Sequence, residues 1–169
     1  MSLFYPTLVL PEISEVTPKL LEKLGVTALI LDVDNTLALN GVADPDTKAL
    51  EWLARMKAGG YPMVILSNNH LPRVRSFAHK LGLNYIASGK KPLTGGYRKI
   101  TRDLGKKPEE IAIIGDQIFT DVLGANIFGC KCLLISPLKE EDGFFYKIKR
   151  GMEKGILRRY EKLHRKASE

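Results

Sequence analysis

The chain has 169 residues, of which 44% are hydrophobic and 27% charged, a composition typical of one globular domain and not of a disordered or fibrous protein. The longest stretch without a charged residue, residues 58–72, is short and contains glycine and proline, so we expect no membrane-spanning segment. The N-terminus lacks a basic and then apolar leader, and two cysteines, Cys130 and Cys132, are too few for a disulfide framework. The sequence therefore predicts a soluble, cytoplasmic domain.

The net charge of +7 lies in one part of the chain. Residues 144–166 contain nine basic and two acidic residues, whereas the remaining residues contain 17 of each sign. A basic segment attached to a neutral domain indicates an anionic partner.

Short apolar runs alternate along the chain with segments of helical periodicity, which is typical of a parallel α/β sheet. Residues 1–25, with three prolines, predict an extended lead-in and one short helix. The apolar runs predict five strands, at residues 26–33, 63–66, 83–87, 111–114 and 132–135. Helical periodicity predicts four intervening helices, at residues 46–58, 72–81, 93–104 and 120–128.

A last helical stripe lies within the basic segment and consists of Ile148, Met152, Ile156, Tyr160 and Leu163. Such a stripe usually faces a core, so packing on the domain is the favoured role and insertion into a membrane interface is the alternative. The whole pattern predicts a doubly wound, mainly parallel, five-stranded Rossmann-like sheet flanked by helices. We expect a lead-in of residues 1–25 packed on the core, a catalytic core of residues 26–137 and a basic helical segment of residues 138–169.

Polar residues follow the predicted strands at one edge of this sheet. In chain order they are Asp32, Asp34, Asn35, Ser67, Asn68, Lys90, Lys91, Asp116 and Asp121. Because ligands of such sheets bind outside the carboxyl ends of the strands, we expect these side chains to converge on one site.

This set of side chains suits the transfer of a phosphoryl group. Asp32 and Asp34 are two residues apart and point to the same side, so one can act as nucleophile and the other as general acid and base. Clustered carboxylates repel one another unless a cation lies between them, and Mg²⁺ prefers oxygen ligands. Ser67 would donate to a phosphoryl oxygen, and a lysine would balance the charge of the transition state.

Each of these features alone has a simpler explanation. Two aspartates at a strand end can cap a helix or remain solvated, and Ser67 can be an ordinary turn residue. All of them in this order favour a catalytic site. The order also disfavours a non-catalytic signalling module of the receiver type, in which the phosphorylated aspartate follows the third strand and the lysine follows the last.

Four motifs resemble those of the haloacid dehalogenase (HAD) superfamily of phosphohydrolases, over residues 20–135. They are Asp32-Val33-Asp34-Asn35-Thr36, Ser67, Lys91-Pro92 and Gly115-Asp116-Gln117-Ile118-Phe119-Thr120-Asp121. The fourth motif is most similar to subfamily IIIA, the YqeG-type proteins, which are related to phosphatidylglycerophosphate phosphatases. The resemblance implies a Mg²⁺-dependent phosphatase with an aspartyl-phosphate intermediate.

The resemblance also implies a role for each motif residue. Asp32 is the nucleophile and a metal ligand, and Asp34 is the general acid and base and offers its backbone carbonyl to the metal. Ser67 and Lys91 bind the phosphoryl group; Lys91 is favoured over Lys90 because the family's lysine directly precedes proline. Asp116 is the third metal ligand. Asp121 supports the metal by contacting the ligands, and direct ligation by Asp121 is the less favoured alternative. Outside the motif roles, Asn35 and Asn68 are expected to shape the phosphate loop and bind substrate.

The spacing between motifs leaves no room for a cap domain. Thirty residues separate Thr36 from Ser67 and 23 separate Ser67 from Lys91, and the predicted helices and strands account for both intervals. We therefore expect an open site that a large or surface-bound substrate can reach. The basic segment then favours peripheral attachment to the inner face of an anionic membrane. Combined with the family resemblance, this implies the anionic phospholipid phosphatidylglycerophosphate as the substrate. Phosphorylated nucleic acid ends or a phosphoprotein are the alternative substrates.

Overall fold

The computed structural model describes residues 2–139 and 143–166. Six parallel strands form one sheet in the order β1-β6-β5-β2-β3-β4. The strands are β1 (Leu8–Leu10), β2 (Ala28–Leu31), β3 (Met63–Leu66), β4 (Asn84–Ile86), β5 (Ile111–Gly115) and β6 (Lys131–Ile135). The helices are α1 (Pro18–Lys23), α2 (Thr47–Ala58), α3 (Leu71–Leu81), α4 (Gly95–Leu104), α5 (Leu123–Phe128) and α6 (Phe144–Lys166), with a π-helical turn at Ile118–Val122 before α5.

The parallel, doubly wound architecture is confirmed, but the prediction of five strands is wrong by one. The sixth strand, β1, lies in the lead-in and pairs with β6 through Leu8 and Leu133. It has only three residues and stands between Pro6 and Pro11, so it is too short to show strand alternation. The lead-in thus adds an edge strand to the sheet.

Hydrophobic packing on both faces of the sheet explains the nearly continuous apolar strands. Along β2, Leu29 and Leu31 join one buried cluster, with Trp52 of α2 and Phe77 of α3. Ala28 and Ile30 join a second cluster on the other face, which includes Tyr97 of α4. Strands buried on both faces cannot alternate between apolar and polar residues.

The strand order reverses between β2 and β5. The chain runs outward from β2 through β3 to β4 and then crosses back to β5, the other neighbour of β2. The carboxyl ends of these two adjacent strands lead to Asp32 and Asp116. The topology therefore creates its ligand-binding crevice between two of the predicted site residues.

Helix α6 coincides with the basic segment, and its apolar stripe packs on the domain only in part. Tyr160 is buried and Ile156 packs against the second cluster, whereas Ile148 and Met152 are 47% and 57% exposed and Leu163 is 54% exposed. Each step of four residues turns an α-helix about 40° past a full turn. A stripe with this spacing winds around the helix and cannot stay on one packed face.

Within the described parts of the chain, no cap domain covers the carboxyl edge of the sheet, as expected from the motif spacing. No helix there combines the length and the apolar character that crossing a bilayer requires.

Candidate active site

Three buried aspartates meet at the carboxyl edge of the sheet, and we call them the carboxylate cluster. Asp32 follows β2, Asp116 follows β5, and Asp121 lies in the π-helical turn. They are 7%, 2% and 0% exposed, and one carboxylate oxygen from each lies within 4.8 Å of the others.

Lys91 joins two members of the carboxylate cluster. Its Nζ atom donates to Oδ1 of Asp32 at 2.7 Å and to Oδ1 of Asp121 at 2.6 Å. Burial alone would lower the pKa of the Lys91 ammonium, but the Asp121 and Asp32 carboxylates raise it above its usual value. Lys91 therefore remains a cation between two carboxylates, whereas the neighbouring Lys90 is exposed.

Asn68 fixes the backbone of Lys91 from both sides. Its Oδ1 atom accepts from the Lys91 backbone N–H at 2.6 Å, and its Nδ2 atom donates to the Lys91 backbone oxygen at 3.0 Å. The side-chain amide of Asn68 thus positions the lysine, in addition to the predicted role at the phosphate loop.

The uncompensated negative charge of the carboxylate cluster favours the binding of a further cation. Burial raises the pKa of Asp32 to about 6, although Lys91 opposes the shift. Burial and then the Asp32 and Asp121 carboxylates raise the pKa of Asp116 to about 8, against the opposing effect of Arg150. One lysine therefore does not offset the desolvation and mutual repulsion of these groups.

The donor atoms at the cluster fit a divalent metal ion. Oδ1 of Asp116 is buried and has no hydrogen-bond partner among the described residues. Both oxygens of Asp121, by contrast, are engaged, because Oδ1 accepts from Lys91 and Oδ2 accepts from the Gln117 backbone N–H at 3.2 Å. A buried, unpartnered carboxylate oxygen beside two further carboxylates is the ligand environment that hard cations prefer.

The glycine before Asp116 makes room for Asp121. A Cβ atom at Gly115 would lie 2.4 Å from the carboxylate carbon of Asp121, which is closer than any real contact. The last residue of β5 must therefore lack a side chain for the π-helical turn to fold back against the strand.

Asp34 lies nearer to solvent and is held by two donors. Its Oδ1 atom accepts from Arg73 of α3 at 2.5 Å, and its Oδ2 atom accepts from the Asn69 side chain at 3.2 Å. Ser67 is buried at the end of β3, and its Oγ atom accepts from the Asn69 backbone N–H at 3.1 Å. Asn69 thus links the residue predicted to bind phosphate to the residue predicted to shuttle protons.

A cavity of about 460 Å³ opens at this edge. Its lining includes five of the predicted site residues, Asp32, Asp34, Ser67, Asn68 and Lys91. Asp116 and Asp121 of the carboxylate cluster are not part of this lining, and neither is Asn35. Asn35 is buried, has a positive φ of 58°, and its backbone oxygen accepts a hydrogen bond from the Leu138 N–H. Asn35 shapes the loop after β2 but does not line the cavity.

Sequence reasoning did not assign six of the lining residues, Asn40, Asn69, Gln117, Thr120, Tyr146 and Lys149. Gln117 and Thr120 lie inside the fourth motif, so their position in the chain was a usable signal. Tyr146 and Lys149 belong to α6, and Lys149 donates to Oε1 of Gln117. No local pattern distinguishes Lys149 from the other basic residues of that helix.

The switch point of this doubly wound sheet carries a buried aspartate and a lysine beside a second aspartate and a serine. These are the groups that an α/β hydrolase acting on phosphoryl groups requires. Comparison with known proteins agrees. Residues 12–129 match the family model described as haloacid dehalogenase-like hydrolase, and the chain belongs to this family.

Two curated relatives are similar to this chain. It is 34% identical to "Probable phosphatase YqeG" of Bacillus subtilis (strain 168), over 91% of this chain and 90% of that protein. It is 27% identical to "Phosphatidylglycerophosphate phosphatase 1, chloroplastic" of Chlamydomonas reinhardtii, over 81% of this chain and 54% of that protein. The YqeG-type resemblance is confirmed, and the chain is a phosphoric monoester hydrolase of the HAD superfamily.

The fold agrees with a solved structure as well. An uncharacterized protein from Listeria monocytogenes serotype 4b superposes with a TM-score of 0.56 at 18% identity, covering 70% of this chain and 85% of that one. This likeness concerns the fold alone.

Proposed function

We propose that this phosphatase is Mg²⁺-dependent and works through a covalent phosphate on Asp32. The observation that carries the proposal is the position of the Asp32 carboxylate. It lines the cavity at the switch point of the sheet and accepts a hydrogen bond from Lys91. Carboxylates serve as nucleophiles toward phosphoryl groups in other enzymes.

The first step transfers the phosphoryl group to the protein. A carboxylate oxygen of Asp32 attacks phosphorus, and the bond from phosphorus to the alcohol oxygen breaks as Asp34 gives that oxygen a proton. Lys91 and Ser67 hold the phosphoryl oxygens and stabilise the negative charge of the transition state. Arg73 and Asn69 keep the Asp34 carboxylate in place.

The second step releases phosphate. Asp34, now ionised, takes a proton from a water molecule whose oxygen attacks phosphorus, and the bond from phosphorus to Asp32 breaks. The same residue therefore serves as acid and then as base, which regenerates the starting protonation state.

The proposed Mg²⁺ ligands are the carboxylates of Asp32 and Asp116 and the backbone carbonyl of Asp34. The support is the Oδ1 atom of Asp116, which is buried beside the other two carboxylates and has no hydrogen-bond partner among the described residues. When bound, Mg²⁺ would neutralise part of the phosphoryl charge and help orient the substrate. Asp121 holds Lys91 instead of ligating, since both its oxygens are engaged.

The test of this proposal is hydrolysis of p-nitrophenyl phosphate by wild-type protein and the Asp32→Asn variant. We expect wild-type turnover that needs Mg²⁺ and stops in EDTA, and no turnover by the variant. Asp103→Asn, which alters an exposed aspartate of α4, is the matched control and should retain activity. Substantial activity of Asp32→Asn, or full wild-type activity in EDTA, would contradict the mechanism.

For the substrate we propose phosphatidylglycerophosphate, presented at an anionic membrane. One support is the name of the chloroplast relative, which is 27% identical. The other is the exposed face of α6, defined by Phe144, Ile148, Met152 and Leu163 and flanked by Lys147, Arg158, Arg159 and Lys162. Each basic residue near an anionic leaflet contributes about 1 kcal/mol of attraction, and exposed apolar side chains can enter the interface.

Flotation with vesicles that contain phosphatidylglycerol tests the membrane association. We expect salt-sensitive binding that weakens when Lys147, Arg158 and Arg159 are changed to Gln. The control changes three exposed basic residues of α4, Arg98, Lys99 and Arg102, and should leave binding nearly unchanged. An absence of binding at low salt would overturn the membrane association and leave the phosphatase assignment intact.

Phosphate release then tests the substrate. Release from phosphatidylglycerophosphate in mixed micelles should exceed release from an oligonucleotide with a terminal phosphate. Faster hydrolysis of the oligonucleotide would replace the lipid with nucleic acid ends, which the basic helix would also attract.

A further inference from the structure

Helix α6 reaches the carboxylate cluster through one arginine. The guanidinium of Arg150 donates through Nη1 to the backbone oxygen of Asp116 at 2.7 Å and through Nη2 to Oδ2 of the same residue. The Arg150 side chain is 13% exposed and that of Asp116 is fully buried. This fork contacts a single residue with both of its ends, and that residue is a proposed metal ligand.

Two further N–H groups of Arg150 are also engaged. Nη1 donates to Oε2 of Glu153 at 2.9 Å, and Nε donates to the Tyr146 hydroxyl at 2.9 Å, with the guanidinium 5.1 Å from the centre of that ring. Glu153 is itself buried, and its Oε1 atom accepts from the Ile118 backbone N–H at 2.9 Å. Arg150 is therefore held by Glu153 and Tyr146 of its own helix, and Glu153 also binds the first residue of the π-helical turn.

This contact pattern fixes how Asp116 presents its carboxylate. Because Oδ2 and the backbone oxygen both bind the same guanidinium, the side chain cannot rotate without breaking a charge-assisted hydrogen bond. The oxygen left over is Oδ1, which is buried and unpartnered among the described residues. Oδ1 is then the atom available to a cation at the cluster.

We propose that Arg150 is a positioning residue of the metal site, which orients Asp116 so that Oδ1 ligates the cation. The inference rests on the proposed function only in requiring that the cluster binds a divalent cation. It makes the C-terminal helix a structural part of the catalytic centre.

The sign of the effect separates positioning from simple electrostatics. A positive charge beside a metal ligand repels a cation, so an electrostatic effect alone predicts that removing Arg150 tightens Mg²⁺ binding. Positioning predicts the opposite. Residues that orient metal ligands typically change metal affinity by about 10–100-fold when mutated.

Calorimetric titration of the full chain with Mg²⁺ alone tests the proposal. We expect Arg150→Ala to weaken Mg²⁺ binding by at least about tenfold. Arg150→Lys should weaken Mg²⁺ binding as well. An ammonium keeps the charge, but it lacks the planar fork that binds the backbone oxygen and Oδ2 of Asp116 together. Arg98→Ala, which removes an exposed arginine of α4, should bind Mg²⁺ like the wild type.

Far-UV circular dichroism identifies the variants that fold. If Arg150→Ala does not fold, Mg²⁺ binding by Arg150→Lys tests the proposal. Wild-type binding in a folded Arg150 variant, or tighter binding, would overturn the inference and leave the proposed function standing. Failure of the wild-type protein itself to bind Mg²⁺ would instead overturn the metal-dependent mechanism and the inference with it.

Discussion

Replacing Lys91 with methionine would expose the energetics of the carboxylate cluster. The change keeps the length of the side chain but removes the ammonium group that lies within 2.7 Å of both Asp32 and Asp121. Removing one partner of a buried ion pair leaves an uncompensated buried charge and costs about 3–5 kcal/mol. In a chain of this size each kcal/mol shifts the melting temperature by a few degrees, so we expect a fall of roughly 6–20 °C at neutral pH in EDTA.

The stability that Lys91→Met loses should depend on pH, and the direction of this dependence follows from the pKa of Asp32. Burial raises the pKa of Asp32 from 3.8 to about 6 even beside Lys91, so the folded protein binds this proton more tightly than the unfolded chain does. Wild-type stability from this group is therefore highest below pH 3.8 and falls as the pH rises toward 6. Loss of Lys91 raises the pKa of Asp32 further, so the variant's deficit should be largest at neutral pH and should shrink in acid.

Differential scanning calorimetry in EDTA, at neutral and at acidic pH, measures both effects. Lys90→Met is the matched control, since it removes the exposed neighbouring lysine and should change the melting temperature little. Adding Asp121→Asn to Lys91→Met removes a repelling carboxylate and should recover part of the loss. A variant that melts with the wild type at neutral pH, or a deficit that does not change with pH, would refute this account of the cluster.

Three further predictions concern the same edge of the sheet. Gly115→Ala places a Cβ atom 2.4 Å from the Asp121 carboxylate carbon. It should lower the free energy of unfolding, measured in urea melts, by about 1–3 kcal/mol and should also reduce turnover. Gly95→Ala, at an open position, should change neither quantity. Arg73→Ala removes the cation that holds Asp34 and should reduce kcat by about 10–100-fold with a smaller change in KM, and an unchanged kcat would show that Asp34 does not need this partner. Because two cluster carboxylates have pKa values raised to about 6 and about 8, Mg²⁺ binding should release protons and strengthen as the pH rises through this range, which titration calorimetry in buffers of different ionisation enthalpy detects.

The sequence predicts the position of the cluster because each member has a local signal. Asp32 ends a continuous apolar run, and Asp116 follows another run after a glycine. Parallel topology then brings distant strand ends together, so the convergence of Asp32 and Asp116 follows from the strand order and needs no knowledge of side-chain contacts. The structure adds distances and partners to a site whose location was already implied.

The features that sequence reasoning missed lack such signals. Strand β1 is too short to show alternation, and its pairing with β6 depends on contacts more than a hundred residues apart in the chain. Arg73 and Arg150 are single arginines among many basic residues, and only the packing of α3 and α6 decides which of them reaches a carboxylate. The apolar stripe of α6 packs only in part, because helical spacing identifies a stripe but does not say which part of it meets the core.

Helix α6 has two different sides, one that contacts the catalytic edge of the sheet and one that is exposed and basic. Its buried side contacts Asp116 through Arg150 and Ile118 through Glu153, whereas its exposed face carries Ile148 and basic residues. Lys149, the neighbour of Ile148 in the helix, lines the catalytic cavity. If the exposed face lies on an anionic membrane, the wall of the cavity is then within one residue of the lipid surface. Under the proposed membrane association, a phosphorylated headgroup would therefore meet the cavity from the side of α6, the helix that carries the net positive charge of the chain.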